Sequence, residues 1–322
     1  MSYTKITPVE ITPATIDAWV DVDVSAYVPA GATGVALHFV DTATAAETVG
    51  ARKNGSTDNR IGVIGFSQHC WGSIGIDGSR ILELNVGSIT TIDVYLVGYY
   101  LSESVFFTNA PDKSLTTTSA WTDIDISSNT GTDTAIQAIF EIKSSGLTAY
   151  ACGLRKNGST DNRINTVLFH HCFGATIGVD EAEICEGYIG SIAVDFFLVG
   201  YIKSDVVSLT NGTDLSLGSI GSYIDLAALP SGATAGWIEV VATTAYLYAL
   251  RENGSAENIY YKNKHCWALV GCDSSLLIEG KIENVGLDFF LVGYPTAAAA
   301  EGQPTWKRFG GIPFMRQPRG VW

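Results

Sequence analysis

Polar and apolar residues alternate with a period of two in several short runs of this chain. Trp19-Val20-Asp21-Val22-Asp23-Val24 sets its valines on one face and its aspartates on the other. Trp121-Thr122-Asp123-Ile124-Asp125-Ile126 repeats the pattern, so each run predicts a half-buried strand with the aspartates facing water. Asn-Gly pairs at 54–55, 157–158 and 253–254 lie between β-compatible runs and predict tight hairpin turns, in which both residues must accept positive φ. The run Asp195-Phe196-Phe197-Leu198-Val199 is apolar on both faces. It predicts a strand that is central in its sandwich, or one whose outer face a neighbouring domain or subunit covers. No run has a convincing helical period, and 34 glycines among many Val, Ile, Thr, Tyr and Phe residues point to short strands joined by tight turns.

Aligning the chain with itself shows how these elements are grouped. Arg52-Lys53-Asn54-Gly55-Ser56-Thr57-Asp58-Asn59-Arg60 recurs letter for letter from Arg155 to Arg163, and a weaker third copy starts at Arg251-Glu252-Asn253-Gly254-Ser255-Ala256-Glu257-Asn258. His69-Cys70-Trp71, His171-Cys172-Phe173 and His265-Cys266-Trp267 follow in the same order, and each copy closes on Leu-Val-Gly-Tyr at 96–99, 198–201 and 291–294. The opening arginines lie 103 and 96 residues apart, too far for the common solenoid repeats and suited to sandwich domains with their own cores. The expected fold is therefore all-β: three tandem antiparallel β-sandwiches at 1–102, 103–204 and 205–296, followed by a linker and an extended tail at 297–322. A jelly roll is among the topologies that fit.

Composition narrows the function classes. A net charge of −14 argues against a nucleic-acid or anionic-lipid partner, which clustered Lys and Arg would mark. Met1-Ser2-Tyr3-Thr4-Lys5 lacks the features of a secretory signal, and no run of eighteen apolar residues occurs, so cytoplasmic synthesis without membrane insertion is expected. The sequence holds no GxSxG, P-loop, Rossmann or zinc-protease motif, and no enzyme is predicted. His69 and Cys70 are adjacent and point to opposite faces of a strand, which disfavours a shared metal ion. Cys272 stands where the other copies have Ile76 and Val179, and Cys152 where the first has Val49. The thiols are thus read as small buried hydrophobes, reduced, with no cofactor expected. On each such strand the histidine shares a face with the aromatic two residues on. His69 with Trp71, His171 with Phe173 and His265 with Trp267 accordingly form either a sugar-stacking platform or part of a core or domain interface.

The tail differs from the body. From 301 to 322 one acid, Glu301, stands against Lys307, Arg308, Arg316 and Arg319, a net of +3, with Trp306, Phe309, Phe314 and Trp322 among prolines and glycines. It reads as an extended docking segment whose aromatic and arginine anchors fill a partner's pockets, or as a strap on its own third domain. The Trp-Val-Asp-Val-Asp-Val strand, the Arg-Lys-Asn-Gly-Ser-Thr-Asp motif, the closing Leu-Val-Gly-Tyr and the ending Lys307-Arg308-Phe309-Gly310-Gly311-Ile312-Pro313-Phe314 together resemble β-sandwich repeat virion proteins of tailed phages. That resemblance implies a head-decoration, tail or fibre role in a virion, with other virion proteins or copies of itself as partners. The alternative is a carbohydrate-binding adhesion module that holds host glycans on exposed aromatics.

Overall fold

A computed structural model describes residues 2–167 and 172–297. The first copy contributes β1 (Tyr3–Glu10), β2 (Val20–Asp23), β3 (Gly34–Asp41), β4 (Glu47–Lys53), β5 (Gly62–Ile64), β6 (His69–Gly75), β7 (Ile81–Val86) and β8 (Ile92–Tyr100). They form two four-stranded antiparallel sheets, ordered β1-β8-β3-β6 and β2-β7-β4-β5. This strand order, two Greek keys folded face to face, is a jelly roll. The second copy repeats it with β9 (Ser104–Phe106), β10 (Trp121–Asp125), β11 (Gln137–Ser144), β12 (Tyr150–Lys156), β13 (Asn165–Val167), β14 (Cys172–Gly178), β15 (Ile184–Ile189) and β16 (Val194–Ile202), ordered β9-β16-β11-β14 and β10-β15-β12-β13. One short helical turn, α1 (Ser127–Thr130), follows β10.

The third copy consists of β17 (Val206–Asp214), β18 (Ile224–Asp225), β19 (Ala235–Glu252), β20 (Tyr261–Gly271), β21 (Ile278–Ile282) and β22 (Leu287–Pro295). Here β19 runs 18 residues without a break. It pairs with β22 through its first part and with β21 through its last, so one strand serves both sheets, as β3 and β4 do separately in the first copy.

Period-two alternation explains the sandwiches. Along β8 every second residue is buried, and Leu82, Leu84, Ile92, Val94 and Leu96 are fully enclosed between the sheets, each contributing about 1.5–3 kcal/mol. Asp21 and Asp23 face water as expected. Strand β3, however, is buried along its whole length, on both faces. Its outer face meets a neighbouring sandwich, and the buried apolar residues form one cluster that runs through all three copies. The expectation of self-contained beads therefore gives way to cores continuous across the seams.

The Asn-Gly turns also differ from expectation. Only the glycine takes positive φ, +78° at Gly55, +79° at Gly158 and +77° at Gly254. The Ser56 N–H donates to the Lys53 carbonyl at 3.0 Å, which is a type II turn. Pairing between β4 and β5 is confined to Glu47–Val49 with Gly62–Ile64. The turn opens an arm of residues 54–61, not a two-residue hairpin.

Candidate functional site

Each letter of the repeated motif holds the arm or joins it to the next sandwich. Arg52 forks onto Glu83, Nε to Oε2 at 2.9 Å and Nη2 to Oε1 at 2.8 Å. Its guanidinium lies 4.3 Å over the Trp19 ring and donates to the Asp58 carbonyl. Asn54 donates to Asp77 and Trp19 Nε1 to Asn59 Oδ1. Arg155 repeats this on Glu186 and Trp121, and Arg251 on Glu279 and Tyr223. These contacts stay within one sandwich and fix the arm.

The rest of the arm reaches across. Ser56 Oγ and the Thr57 N–H both donate to Asn109 Oδ1, at 2.9 and 2.8 Å, and the Ala110 N–H donates to Asp58 Oδ2 at 2.8 Å. Lys53 Nζ reaches the Phe106 carbonyl. Arg60 then joins Asp58 of its own arm (2.6 Å) to Glu141 on β11 (2.7 Å), stacked 4.7 Å from the Phe197 ring on β16. The second seam is built alike: Ser159 and Thr160 on Asn211, Gly212 on Asp161, and Arg163 between Asp161 (2.8 Å) and Glu239 (2.6 Å), over Phe290 at 4.5 Å. Phe197 is the outer-facing apolar residue that the sequence places under a neighbour, and Arg60 is what covers it. Glu239 is fully buried and is also 2.9 Å from His265 Nε2.

One operation thus relates the first sandwich to the second and the second to the third. The strands β6, β14 and β20, each paired to its sheet along one side, pack against one another, so the three sandwiches surround an approximate threefold axis. Glycine permits the approach of the first two: a Cβ on Gly174 would lie 2.6 Å from the Gly72 Cα. His69, Trp71, Phe173, His265 and Trp267 come together at this axis. His38 stacks on Trp71 at 3.9 Å, His69 lies 4.4 Å from the Tyr248 ring of the third sandwich, and Phe173 stacks with Trp267 at 6.0 Å. Burial brings the His38 pKa down to about 3 and holds His69 well below its ordinary value.

His69, Trp71, Phe173, His265 and Trp267 are all buried, so a sugar could stack on these rings only if the sandwiches parted. His69 and Cys70 point to opposite faces yet are both buried, because the outer face of β6 is covered too. Cys152, Cys185, Cys266 and Cys272 are likewise buried free thiols. Among the described residues no group of three or more His, Cys, Asp and Glu side chains is placed to hold a metal ion. His171 and the tail residues Trp306, Lys307, Arg308, Phe309, Phe314, Arg316, Arg319 and Trp322 lie outside the described residues.

The third seam, where the last sandwich meets the first, departs from the other two. The bulge after Lys5↔Gly98 is one residue shorter than the one after Ser208↔Gly293, and Thr7 and Pro8 stand there in the place of Asn109 and Asn211. Ile259 replaces Arg60 and Arg163, and His38 replaces Glu141 and Glu239. Instead Lys5 pairs with Glu252, Asn263 Nδ2 donates to the His69 carbonyl at 2.6 Å, and the Lys262 N–H to the Ser67 carbonyl at 2.8 Å. A cavity of about 340 Å³ remains, lined in part by Lys5, Pro8, His38, Glu252, Glu257 and Ile259. Sequence reasoning missed all three seams. The signal present was the letter-for-letter repeat of a polar motif, of which only Arg52, Asn54 and Asn59 are used within a single sandwich.

No family model matches the sequence, and no curated protein matches it. Among solved structures the chain is similar to one described with the triple jelly roll fold and turret assembly of an archaeal virus, at 11% identity over 90% of each chain and a TM-score of 0.25. It is also similar to a chain of Sulfolobus turreted icosahedral virus, at 12% identity over 92% of each chain and a TM-score of 0.23. A chain of the lipid-containing bacteriophage PM2 is more distant, at 8% identity over 88% of each chain and a TM-score of 0.11. None of the three is described as a decoration, tail or fibre protein of a tailed phage. Scores this low do not bear on function, and the jelly-roll assignment rests on the strand order itself.

Proposed function

We propose that this chain is a structural component of a virus particle, a preassembled block of three jelly rolls that packs with copies of itself or with other virion proteins and docks through its basic, aromatic tail. The observation that carries the reading is the use made of the repeated motif. Its Ser, Thr and Asp letters and its closing Arg tie each of the first two sandwiches to the next, while its opening Arg and its Asn letters hold the arm in place. Within a particle the residues 301–322, with Trp306, Lys307, Arg308, Phe309, Phe314, Arg316, Arg319 and Trp322, serve as the attachment element, since their charge opposes that of the body and their rings and guanidiniums need a partner surface. The glycan-binding alternative has little support, because His69, Trp71, Phe173, His265 and Trp267 are buried.

The test is to image purified particles formed with the full chain, without it, and with a chain ending at Ala300. The expected result is particles that lose a discrete density when the protein is absent and fail to acquire it when only the tail is absent, while the truncated chain keeps its β-sheet spectrum. Particles identical in all three preparations would contradict the reading.

A further inference from the structure

The third seam keeps a binding arrangement whose cation is missing. In the other two seams a guanidinium lies between the arm's carboxylate, Asp58 or Asp161, and a ring of the next sandwich. Glu257 occupies the place of that carboxylate, but Ile259 stands where the arginine would be. Among the described residues Glu257 forms no ion pair. Its Oε2 accepts only from Ser255 Oγ at 3.3 Å, and burial raises its pKa. The neighbouring bases are already engaged, Lys5 by Glu252 and Arg251 by Glu279. Where Asn109 and Asn211 close the filled seams, neither Thr7 nor Pro8 brings a side-chain amide, and both line the cavity.

We propose that this cavity receives the tail, residues 301–322, of a second copy of the chain, and that one of its arginines takes the place held by Arg60 and Arg163 in the other seams. The inference rests on the reading of the tail as a docking element and names its acceptor. Charge complementarity supports it: the tail carries +3 against a body of negative charge, and Arg308 is flanked within two residues by Trp306 and Phe309, rings suited to a cavity of this size. Position supports it as well. The chain leaves the third sandwich at Ala297, whose N–H donates to the Gly232 carbonyl. Immediately before it, the Thr296 N–H and Ser2 Oγ both donate to the Asp205 carbonyl, and Lys5, three residues along from Ser2, lines the cavity. Tail origin and cavity therefore share one end of the molecule. The nine Cα-to-Cα steps from Ala297 to Trp306 span at most about 30 Å, enough to cross to a copy set end to end. Each copy offers one tail and one such seam, so reciprocal exchange fills both and gives an isologous contact.

A photoreactive benzoyl-phenylalanine at position 306 of the full chain tests this in an equal mixture of ¹⁵N-labelled and unlabelled protein. Cross-links from 306 to residues 5–8 or 252–259 that join heavy to light copies are expected. Cross-links confined to one copy would mean a strap in cis and would overturn the proposal, as would cross-links to another part of the surface. Ile259→Arg, which restores the missing guanidinium from within, should weaken self-association by about tenfold or more, and Glu257→Gln by about tenfold, the size of one charge-assisted hydrogen bond. Self-association of Ile259→Arg as tight as wild type would also overturn it. If a chain ending at Ala300 self-associates like the full chain, the docking reading itself fails. If that truncation abolishes association and Ile259→Arg does not, only the seam as acceptor fails.

Discussion

Arg60 and Arg163 hold equivalent places but not equal ones. Arg60 meets Glu141, which keeps some solvent contact, whereas Arg163 meets Glu239, which has none. Removing a guanidinium from a fully buried carboxylate leaves a charge with little else to compensate it, a loss of roughly 3–5 kcal/mol. At the more exposed site solvent takes up part of the difference, and roughly 1–2 kcal/mol is expected. Arg163→Met should therefore shift urea unfolding substantially further than Arg60→Met, and equal small shifts would show that the seams do not depend on these pairs. The two arginines were visible in the sequence as letters of a repeat, but their role was not. Their partners Glu141 and Glu239 lie 81 and 76 residues on, each an acid set between two apolar neighbours, Phe140 and Ile142 or Ile238 and Val240. The vacancy at Ile259 was visible only as a departure of the third copy.

At the scale of elements, the strands were legible wherever one face meets water, as at Val20–Asp23 and Trp121–Asp125, because alternation then writes the burial pattern into the sequence. Where both faces are buried, as along Gly34–Asp41, alternation is lost and the sequence says only that a cover exists. The Asn-Gly pairs were read from a local signal, while the arm they open depends on where β5 resumes pairing and on contacts with the next sandwich. The approach of β6 to β14 depends on Gly72 and Gly174. A side chain at Gly174 would meet Gly72 Cα and the Trp71 carbonyl, both backbone, which cannot swing aside. Gly174→Val should cost about 2 kcal/mol or more, whereas Gly78→Ala, with nothing within 4 Å of its added carbon, should leave the melting temperature nearly unchanged. A neutral Gly174→Val would mean that the first two sandwiches do not touch here.

For the whole molecule, the repeat and its order revealed three sandwiches, and charge and composition pointed away from nucleic acid. The closure of those sandwiches round one axis was not legible, because it arises from pairs that are far apart in the chain and from glycines that only a neighbour makes necessary. The central claim is that the chain folds as one block with three meeting edge strands. Edge strands ordinarily exchange their amide hydrogens early, since one row of amides faces solvent. Native-state hydrogen exchange across residues 70–75, 173–178 and 266–271 tests the claim most directly. The block predicts protection there as high as in the central strands Gly34–Asp41 and Gln137–Ser144; exchange at the three axis strands as fast as at the outer edge strands Val20–Asp23 and Trp121–Asp125 would contradict it.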